Sequence, residues 1–230
     1  MSKTIIVTGS SGNMGKAVVK KFINEGYKVV GTIISNDTMP MDFSKDNFEK
    51  AKVDVMNEES SQKFVDDVVL KYETVDVAVL TVGGFAIGNI AETKTSDIFK
   101  QYQLNFETAY NIARPVFIQM MKQNFGRIFL IGARPGLNAA NGKGMIAYSL
   151  SKSLIFHLAE LMNKESKDKN VVTNVIVPGT IDTPQNRESM PDADFTSWVQ
   201  PGQIADVIYY YSGSEASIIS EPVIKLYNNS

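Results

Sequence analysis

The sequence predicts an α/β fold, a doubly wound, mainly parallel sheet of the Rossmann type that forms a single domain over residues 1–230. Three observations lead to this class. A β-branched run, a glycine turn and an amphipathic helix follow one another within residues 4–22. Apolar runs then alternate with helical patterns along the chain, which predicts parallel strands joined by right-handed crossovers. The length suits one large domain.

The elements are predicted in a regular alternation. Strands are expected at residues 4–8, 27–34, 51–55, 75–82, 126–132, 171–177 and 223–227. Helices are expected at residues 14–22, 58–72, 97–124, 145–164 and 203–211, with loops at 38–48, 134–143 and 182–199. A proline inside a helix costs ~3 kcal/mol, so we expect a kink or break near Pro115.

Composition limits the partners of the chain. The net charge is −2 and there is no long basic run, which argues against a nucleic-acid or anionic-membrane surface. The chain has no cysteine, and its single histidine, His157, has no partner ligand, so no metal site is predicted. No apolar stretch approaches the ~20 residues that span a bilayer, and the N-terminus lacks a signal-peptide pattern. A cytoplasmic protein with a small-molecule substrate is therefore expected.

The glycine turn is the first candidate site. Gly9, Gly12 and Gly15 lie between the first strand and the first helix. The N-terminal amides of that helix have no partner within it, and the helix dipole favours an anion there. Glycines let the backbone approach a pyrophosphate. The spacing alone also occurs in ordinary turns, but the order strand, turn, helix favours a dinucleotide.

The end of the second strand leaves the choice of dinucleotide open. An acidic residue there would bind the adenosine ribose, and an arginine would bind a 2′-phosphate. The sequence reads Ile33-Ile34-Ser35-Asn36-Asp37, with no acid at the strand tip and no arginine close behind it. Asp37 fits either a ribose contact or a simple turn.

Tyr148 and Lys152 form the second candidate site. They lie four residues apart on one predicted helix and therefore share a face. An ammonium near a phenol lowers the pKa of the phenol, which would make Tyr148 a proton donor near neutral pH. Such a pair also arises by chance on helix surfaces. Its helix follows the fifth strand, however, which places the pair at the same end of the sheet as the glycine turn.

Together these residues resemble the short-chain dehydrogenases/reductases over essentially the whole chain, and within that family they are most similar to dihydropteridine reductases. The general matches are Thr8-Gly9, Gly12, Gly15, Asp54-Val55, Asn105, Tyr148 with Lys152, and Pro178-Gly179 with Thr183. The more specific ones are the runs at 81–85, 144–148, 182–187 and 189–198. The last run is long and unusual in composition, so it carries the most weight.

The resemblance implies a role for each matching residue. Tyr148 would supply a proton, Lys152 would hold the nicotinamide ribose and tune Tyr148, and Asn105 would orient Lys152 through a water. The cofactor would be NADH or NADPH, and a homodimer is expected. The residues implied in cofactor binding are Gly9, Ser11, Asn13, Met14, Gly15, Asp54, Val55, Val82, Gly83, Gly84, Lys152, Pro178, Gly179, Ile181 and Thr183.

Some of these residues also have simpler interpretations. Asp54 is compatible with an ordinary strand end, Asn105 with the polar face of a long helix, and Thr183 with a helix cap. The candidate substrate contacts are Phe85, Ala133, Trp198 and Met190. A flat ring could stack on Phe85 or Trp198, although Trp198 equally suits apolar anchoring of a lid at about 182–200.

Ala133 is the most informative departure from the family pattern. Most members carry a serine after the fifth strand that polarises a substrate carbonyl, whereas this chain has Ala133. Ser149 and Ser151 are predicted to point away from the face of the Tyr–Lys pair. The loss of such a donor is worth ~3 kcal/mol in other systems. Dihydropteridine reductases also lack this serine, because their quinonoid substrate is already electron-poor.

Two departures oppose that subfamily. The acidic residue at the end of the second strand is absent, and Phe85 stands where those reductases carry a tryptophan. The matching runs and the absence of the serine outweigh these departures. The sequence as a whole predicts an NAD(P)H-dependent reductase of a quinonoid dihydropterin. Two alternatives stay open: a reductase of another small electron-poor carbonyl or quinone, and a nucleotide-binding regulator with little catalysis.

Overall fold

The computed structural model describes residues 2–34, 47–214, 216 and 222–228. The described residues form one seven-stranded sheet in the order β3-β2-β1-β4-β5-β6-β7, and every strand pair is parallel. Helices cover both faces. The predicted doubly wound α/β class is thereby confirmed.

The strands are β1 Thr4–Thr8, β2 Lys28–Ile33, β3 Phe48–Lys52, β4 Val77–Leu80, β5 Phe125–Ile131, β6 Asn170–Pro178 and β7 Val223–Leu226. The helices are α1 Asn13–Asn24, α2 Glu58–Tyr72, α3 Thr95–Tyr102, α4 Thr108–Gln123, α5 Arg134–Leu137, α6 Ile146–Glu165, α7 Pro184–Ser189 and α8 Pro201–Ser212. No helix in these described ranges is long and apolar enough to cross a membrane.

The central strands are apolar throughout because both of their faces are covered. Every residue of β1 and β4 is buried. Alternate residues of β1 enter different cores, so Ile5 packs with Phe22 of α1 while Ile6 packs with Ile112 of α4. A continuous β-branched run is what a parallel strand between two helix layers requires.

The strand order reverses between β1 and β4, and this reversal opens the cleft. The chain leaves β1 toward β2 on one side, whereas β4 is followed by β5 on the other side. Ligands of doubly wound sheets bind at such a point, beyond the carboxyl ends of the strands. The glycine turn after β1 and the 81–85 turn after β4 both lie there.

The third strand begins and ends earlier than predicted. β3 runs from Phe48 to Lys52 and pairs with β2 along its whole length, whereas the sequence predicted 51–55. Val53 and Val55 are buried in the core although they follow the strand. Their alternation with polar residues resembles the pattern of a strand. The edge strand itself has few apolar residues, so the pattern placed the predicted strand too late.

The long helical segment breaks at a different place from the one predicted. Helix α4 continues through Pro115, so the expected break there is wrong. The irregularity lies before α4, where Gln103–Glu107 form a π-helical turn that carries Asn105. Single π turns inside helices occur frequently at functional sites.

The predicted loops are more ordered than expected. The 134–143 stretch contains α5 and a 3₁₀ turn at Ala139–Asn141. The 182–199 stretch contains α7 and a 3₁₀ turn at Phe195–Ser197. Both stretches are rich in residues that favour turns, which hides short helices from pattern analysis.

Candidate active site

The glycine turn is held in place by both neighbouring strands. Gly9 has φ +61°, a conformation that favours glycine. The Thr32 Oγ1 accepts a hydrogen bond from Gly9 N at 3.2 Å, and Ser10 Oγ donates to the Thr32 carbonyl at 3.0 Å. On the other side, Thr81 Oγ1 donates to the Thr8 carbonyl at 2.7 Å. The turn is therefore fixed by hydrogen bonds from both neighbouring strands.

The turn has the space and the donors that a pyrophosphate needs. Gly12 is the N-cap of α1 and has no side chain to satisfy the amides of the first helical turn. A Cβ at Gly15 would collide with the carbonyl oxygen of Gly9, so α1 can approach the turn only because Gly15 is a glycine. An anion at this helix end would complete its hydrogen bonds. The residues present thus fit a dinucleotide.

The turn after β4 forms the floor between the two candidate sites. Gly83 is exposed, and a Cβ there would lie 2.7 Å from Asn105 Oδ1 and 3.4 Å from Lys152 Nζ. The ring of Phe85 lies edge-on to that of Tyr148, with centroids 5.1 Å apart and planes at 77°. The structure thus brings Gly83, Phe85, Tyr148 and Lys152 together.

Lys152 is a buried cation. It exposes 5% of its surface, and its Nζ donates to the carbonyl oxygen of Ile131 at 2.8 Å. Burial lowers the pKa of the Lys152 ammonium from its ordinary value of 10.5 to about 8. The ammonium has further protons to donate, so an oxygen ligand beside it would be bound by a charge-assisted hydrogen bond.

Tyr148 behaves differently from the sequence-based prediction. Burial raises the pKa of the Tyr148 phenol to about 12. The predicted lowering by Lys152 is therefore wrong, because desolvation of the phenol decides the direction. Tyr148 is consequently protonated at neutral pH, which is the form a proton donor requires.

Asn105 lies in a polar cluster behind the pair. Its Oδ1 accepts from Gly84 N at 2.9 Å, and its Nδ2 lies 3.1 Å from the Gly84 carbonyl, 2.9 Å from Gln101 Oε1 and 3.1 Å from Ser151 Oγ. Ser151 also donates to the Tyr148 carbonyl at 2.8 Å. Ser151 therefore belongs to the polar cluster behind the pair, a contact that the sequence did not reveal.

The segment after β3 contains Asp54 and Val55, which were predicted to bind the adenine. Asp54 is exposed and its Oδ1 accepts from Met56 N at 3.0 Å. Val55 is buried, and its carbonyl accepts from Asn111 Nδ2 of α4 at 3.1 Å. Asn111 thus anchors this segment and was not singled out from the sequence. Asp37 lies outside the described residues.

The position after β5 carries no hydroxyl group. Ala133 is buried and precedes α5, whose Gly136 packs so closely against Lys152 that a Cβ there would clash. The guanidinium carbon of Arg134 lies 4.0 Å from the ring centroid of Tyr227. Neither residue 133 nor residue 134 therefore replaces the family serine.

The 182–200 segment is folded by its own side chains. Arg187 Nε and Nη2 donate to the two carboxylate oxygens of Asp182 at 2.6 and 2.7 Å, and Gln200 Nε2 donates to the same carboxylate at 2.8 Å. These bonds hold the pKa of Asp182 down at about 2. Asn13 of α1 donates to Gln185 Oε1 at 2.9 Å, so the segment touches the glycine turn.

Other predicted residues of this region have structural contacts. Thr183 caps α7 by accepting from Asn186 N at 3.1 Å, and Ile181 accepts from Asn186 Nδ2 at 2.7 Å. Trp198 exposes 4% of its surface and packs on Phe195 with ring centroids 4.8 Å apart. This geometry matches the anchoring alternative. Pro178 ends β6 and Gly179 follows it, where Gly179 N donates to the Leu226 carbonyl at 2.8 Å.

Comparison with known proteins identifies the family. A family model described as short chain dehydrogenase matches residues 3–194. The chain belongs to the short-chain dehydrogenase family. This confirms the resemblance to the short-chain dehydrogenases/reductases drawn from the sequence, and membership of that family carries the expectation that the cofactor is NADH or NADPH.

Relatives of this short-chain dehydrogenase cover most of its length. Dihydropteridine reductase of Dictyostelium discoideum is 28% identical over 94% of this chain and 90% of that protein. The cyclic-di-GMP-binding biofilm dispersal mediator protein of Escherichia coli strain K12 is 27% identical over 95% of this chain and 92% of that protein. The solved structure of ElxO with NADP bound is 24% identical, covers 98% of this chain and 97% of its own, and gives a TM-score of 0.89.

Proposed function

We propose that this short-chain dehydrogenase uses NADH or NADPH to reduce a quinonoid dihydropterin to the tetrahydropterin, with Tyr148 as the proton donor. The observation that carries the proposal is a half-buried, protonated Tyr148 four residues before the buried Lys152, in a site where Ala133 stands in place of a polarising hydroxyl. An electron-poor substrate needs no second donor at that position. The similarity to the Dictyostelium discoideum dihydropteridine reductase supports the same substrate class.

Each group of residues has its own role in the proposed reaction. The glycine turn, with Ser11, Asn13 and Met14, binds the pyrophosphate, and Asp54 with Val55 borders the adenine. Lys152 would hold the nicotinamide ribose from a position where its charge is poorly hydrated. The bound cofactor would supply the hydride, and Tyr148 would donate its phenolic proton to the substrate as it is reduced. Lys152 then stabilises the phenolate until it is reprotonated.

The substrate is held by an apolar wall and a lid. Phe85 exposes 60% of its surface next to Tyr148, which leaves its ring free to contact a flat bicyclic substrate. The 182–200 segment acts as the lid, with the exposed Met190 on its surface and the buried Trp198 as its anchor. The contact between Asn13 and Gln185 holds the lid against the cofactor turn.

The direct test mixes the purified protein with freshly generated quinonoid dihydropterin and either NADH or NADPH. We expect the absorbance of the reduced cofactor to fall at a rate proportional to enzyme concentration. A parallel panel of ketones, aldehydes and quinones measures the alternative substrates. If a compound of this panel is reduced and the pterin is not, the protein is a reductase of another small electron-poor carbonyl or quinone.

Restoring the missing hydroxyl provides a sharper test of the substrate class. In Ala133→Ser we expect ketone reduction to rise by about one to two orders of magnitude, because a donor to a developing oxyanion is gained. Reduction of the quinonoid dihydropterin should change by less than about threefold, because its chemistry does not depend on that donor. Steady-state kinetics on both substrates measure the ratio. An equal rise on both would show that the natural substrate also needs a polarising hydroxyl.

A second candidate function is a nucleotide-binding regulator with little catalysis. The similarity to the biofilm dispersal mediator of Escherichia coli favours it, as does the absence of a hydroxyl at Ala133. The buried Lys152 opposes it, because a purely binding protein has no need to desolvate an ammonium. Thermal stabilisation by NADH, NADPH and cyclic-di-GMP, compared with turnover, separates the two functions.

We also propose that two copies of the chain associate through α4 and α6. Leu150, Leu154 and Leu161 leave an apolar face of α6 exposed, and Tyr110 and Ile118 do so on α4. A two-fold axis would bury both faces at once, as the resemblance to the family implies. Sedimentation velocity at micromolar concentration should give the mass of two chains.

A further inference from the structure

Gln101 is a buried polar residue to which the proposed reaction gives no role. It exposes 4% of its surface and is the buried residue of α3. A buried amide costs free energy unless it is hydrogen-bonded, so an apolar side chain would hold α3 in place at lower cost. A glutamine here therefore indicates that the side chain is needed for a hydrogen bond and not for packing alone.

That hydrogen bond joins Gln101 to Asn105. Gln101 Oε1 accepts from Asn105 Nδ2 at 2.9 Å, and Ser151 Oγ lies 3.1 Å from the same nitrogen. An asparagine amide can rotate by half a turn, which exchanges its oxygen and nitrogen. Gln101 Oε1 is a second acceptor for this nitrogen besides the Gly84 carbonyl at 3.1 Å, and it favours the rotamer with the nitrogen toward α3. The oxygen then faces Gly84 N, which donates to it at 2.9 Å.

This orientation matters because of what lies beside the oxygen. Gly83 lies between Asn105 Oδ1 and Lys152 Nζ, since a Cβ on it would lie 2.7 Å from the first and 3.4 Å from the second. The observed rotamer turns a carbonyl oxygen toward the region of the ammonium. The reversed rotamer would turn an N–H group toward a buried cation and would break the bond from Gly84 N.

We propose that Gln101 is a positioning residue: it fixes the amide of Asn105 and, through it, the 83–84 turn beside Lys152. The surface that receives the nicotinamide half of the cofactor is then set before binding. This inference rests on the cofactor site of the proposed function and not on the identity of the substrate. Its consequences are therefore visible in cofactor affinity and in the spectrum of the free protein.

The test compares Gln101→Met with Gln103→Met. Methionine keeps the length of the side chain and removes the acceptor, and Gln103 is exposed, so its variant is the matched control. In Gln101→Met we expect the dissociation constant for NADPH or NADH, whichever binds the wild type better, to rise about tenfold, the equivalent of one net hydrogen bond. Thermal stability without cofactor should stay close to that of the wild type, because Asn105 Nδ2 keeps the Gly84 carbonyl and Ser151 Oγ within 3.1 Å and is not left unpaired.

The side-chain amide of Asn105 gives an independent readout. In ¹⁵N spectra of the cofactor-free protein, its resonances should shift and broaden in Gln101→Met, with Asn105→Ser supplying the assignment. The amide of Asn111, which donates to the Val55 carbonyl, should stay unchanged.

Three results would overturn the positioning role. They are a folded Gln101→Met with wild-type cofactor affinity, an Asn105 amide spectrum that does not respond, and a Gln101→Met that does not fold, which would make Gln101 a structural brace. If the wild-type protein binds the cofactor but does not reduce the dihydropterin, the proposed substrate is wrong. The role of Gln101 is then still tested by comparing the cofactor affinities of the wild type and Gln101→Met.

Discussion

Replacing Tyr148 by phenylalanine should lower kcat for the dihydropterin by about 10²- to 10⁴-fold, the usual contribution of a positioned proton donor. The ring should keep its edge-on contact with Phe85, because only the hydroxyl is removed. Cofactor affinity should therefore change by less than about twofold, since the hydroxyl is not part of the phosphate turn. Stopped-flow cofactor oxidation and fluorescence titration measure the two quantities.

Tyr210→Phe is the matched control for this substitution. Tyr210 is exposed on α8 and lies outside the candidate site. Its variant should keep wild-type kinetics. A Tyr148→Phe enzyme with undiminished kcat would mean that another group, or water, delivers the proton.

Replacing Lys152 by methionine should inactivate the enzyme and yet stabilise the cofactor-free protein. The pKa of Lys152 falls from 10.5 to about 8 on burial, which corresponds to about 3 kcal/mol at 1.36 kcal/mol per pKa unit. Methionine removes this destabilisation, whereas loss of the hydrogen bond to the Ile131 carbonyl destabilises the folded protein by about 1 kcal/mol. We expect the free energy of unfolding at pH 7 to rise by about 2 kcal/mol, and kcat to fall at least about a hundredfold.

The sign of the pH dependence follows from the same shift. Between about pH 8 and 10.5 the unfolded chain binds the lysine proton while the folded chain does not, so the stability of the wild type rises with pH in this window. The stability advantage of Lys152→Met should therefore be complete below pH 8 and disappear as the pH approaches 10.5. Denaturant titrations at several pH values measure it, with Lys164→Met on the exposed part of α6 as control. If Lys152→Met is less stable than the wild type at pH 7, burial of the Lys152 ammonium does not destabilise the folded protein.

The parts of the fold with strong patterns could be predicted from the sequence. β1 and β4 lie between two helix layers, so their residues are apolar throughout and their type is unambiguous. The edge strand β3 has no such pattern, and the buried Val53 and Val55 beyond it displaced its predicted position. Pro115 was expected to break α4, but a proline that is itself buried is compensated by packing that no local rule reports.

The candidate site divides along similar lines. Tyr148, Lys152 and the glycines have fixed spacings within single elements, so they could be found by pattern. Ser151 contacts Asn105 across 46 positions of the chain, and such a contact has no spacing to detect. Gln101 lies four residues before Asn105, but only the packed structure shows that both side chains are buried and paired. The direction of the pKa shift of Tyr148 depends on burial, which only the packed structure defines.

The internal bonding of the 182–200 segment bears on the heat and entropy of substrate binding. Asp182, Arg187 and Gln200 already hold the segment in shape in the free chain. A segment that is ordered beforehand loses little conformational entropy when it covers a ligand, so most of its contact energy is available as affinity. Calorimetric titration should accordingly show a small entropic penalty on substrate binding.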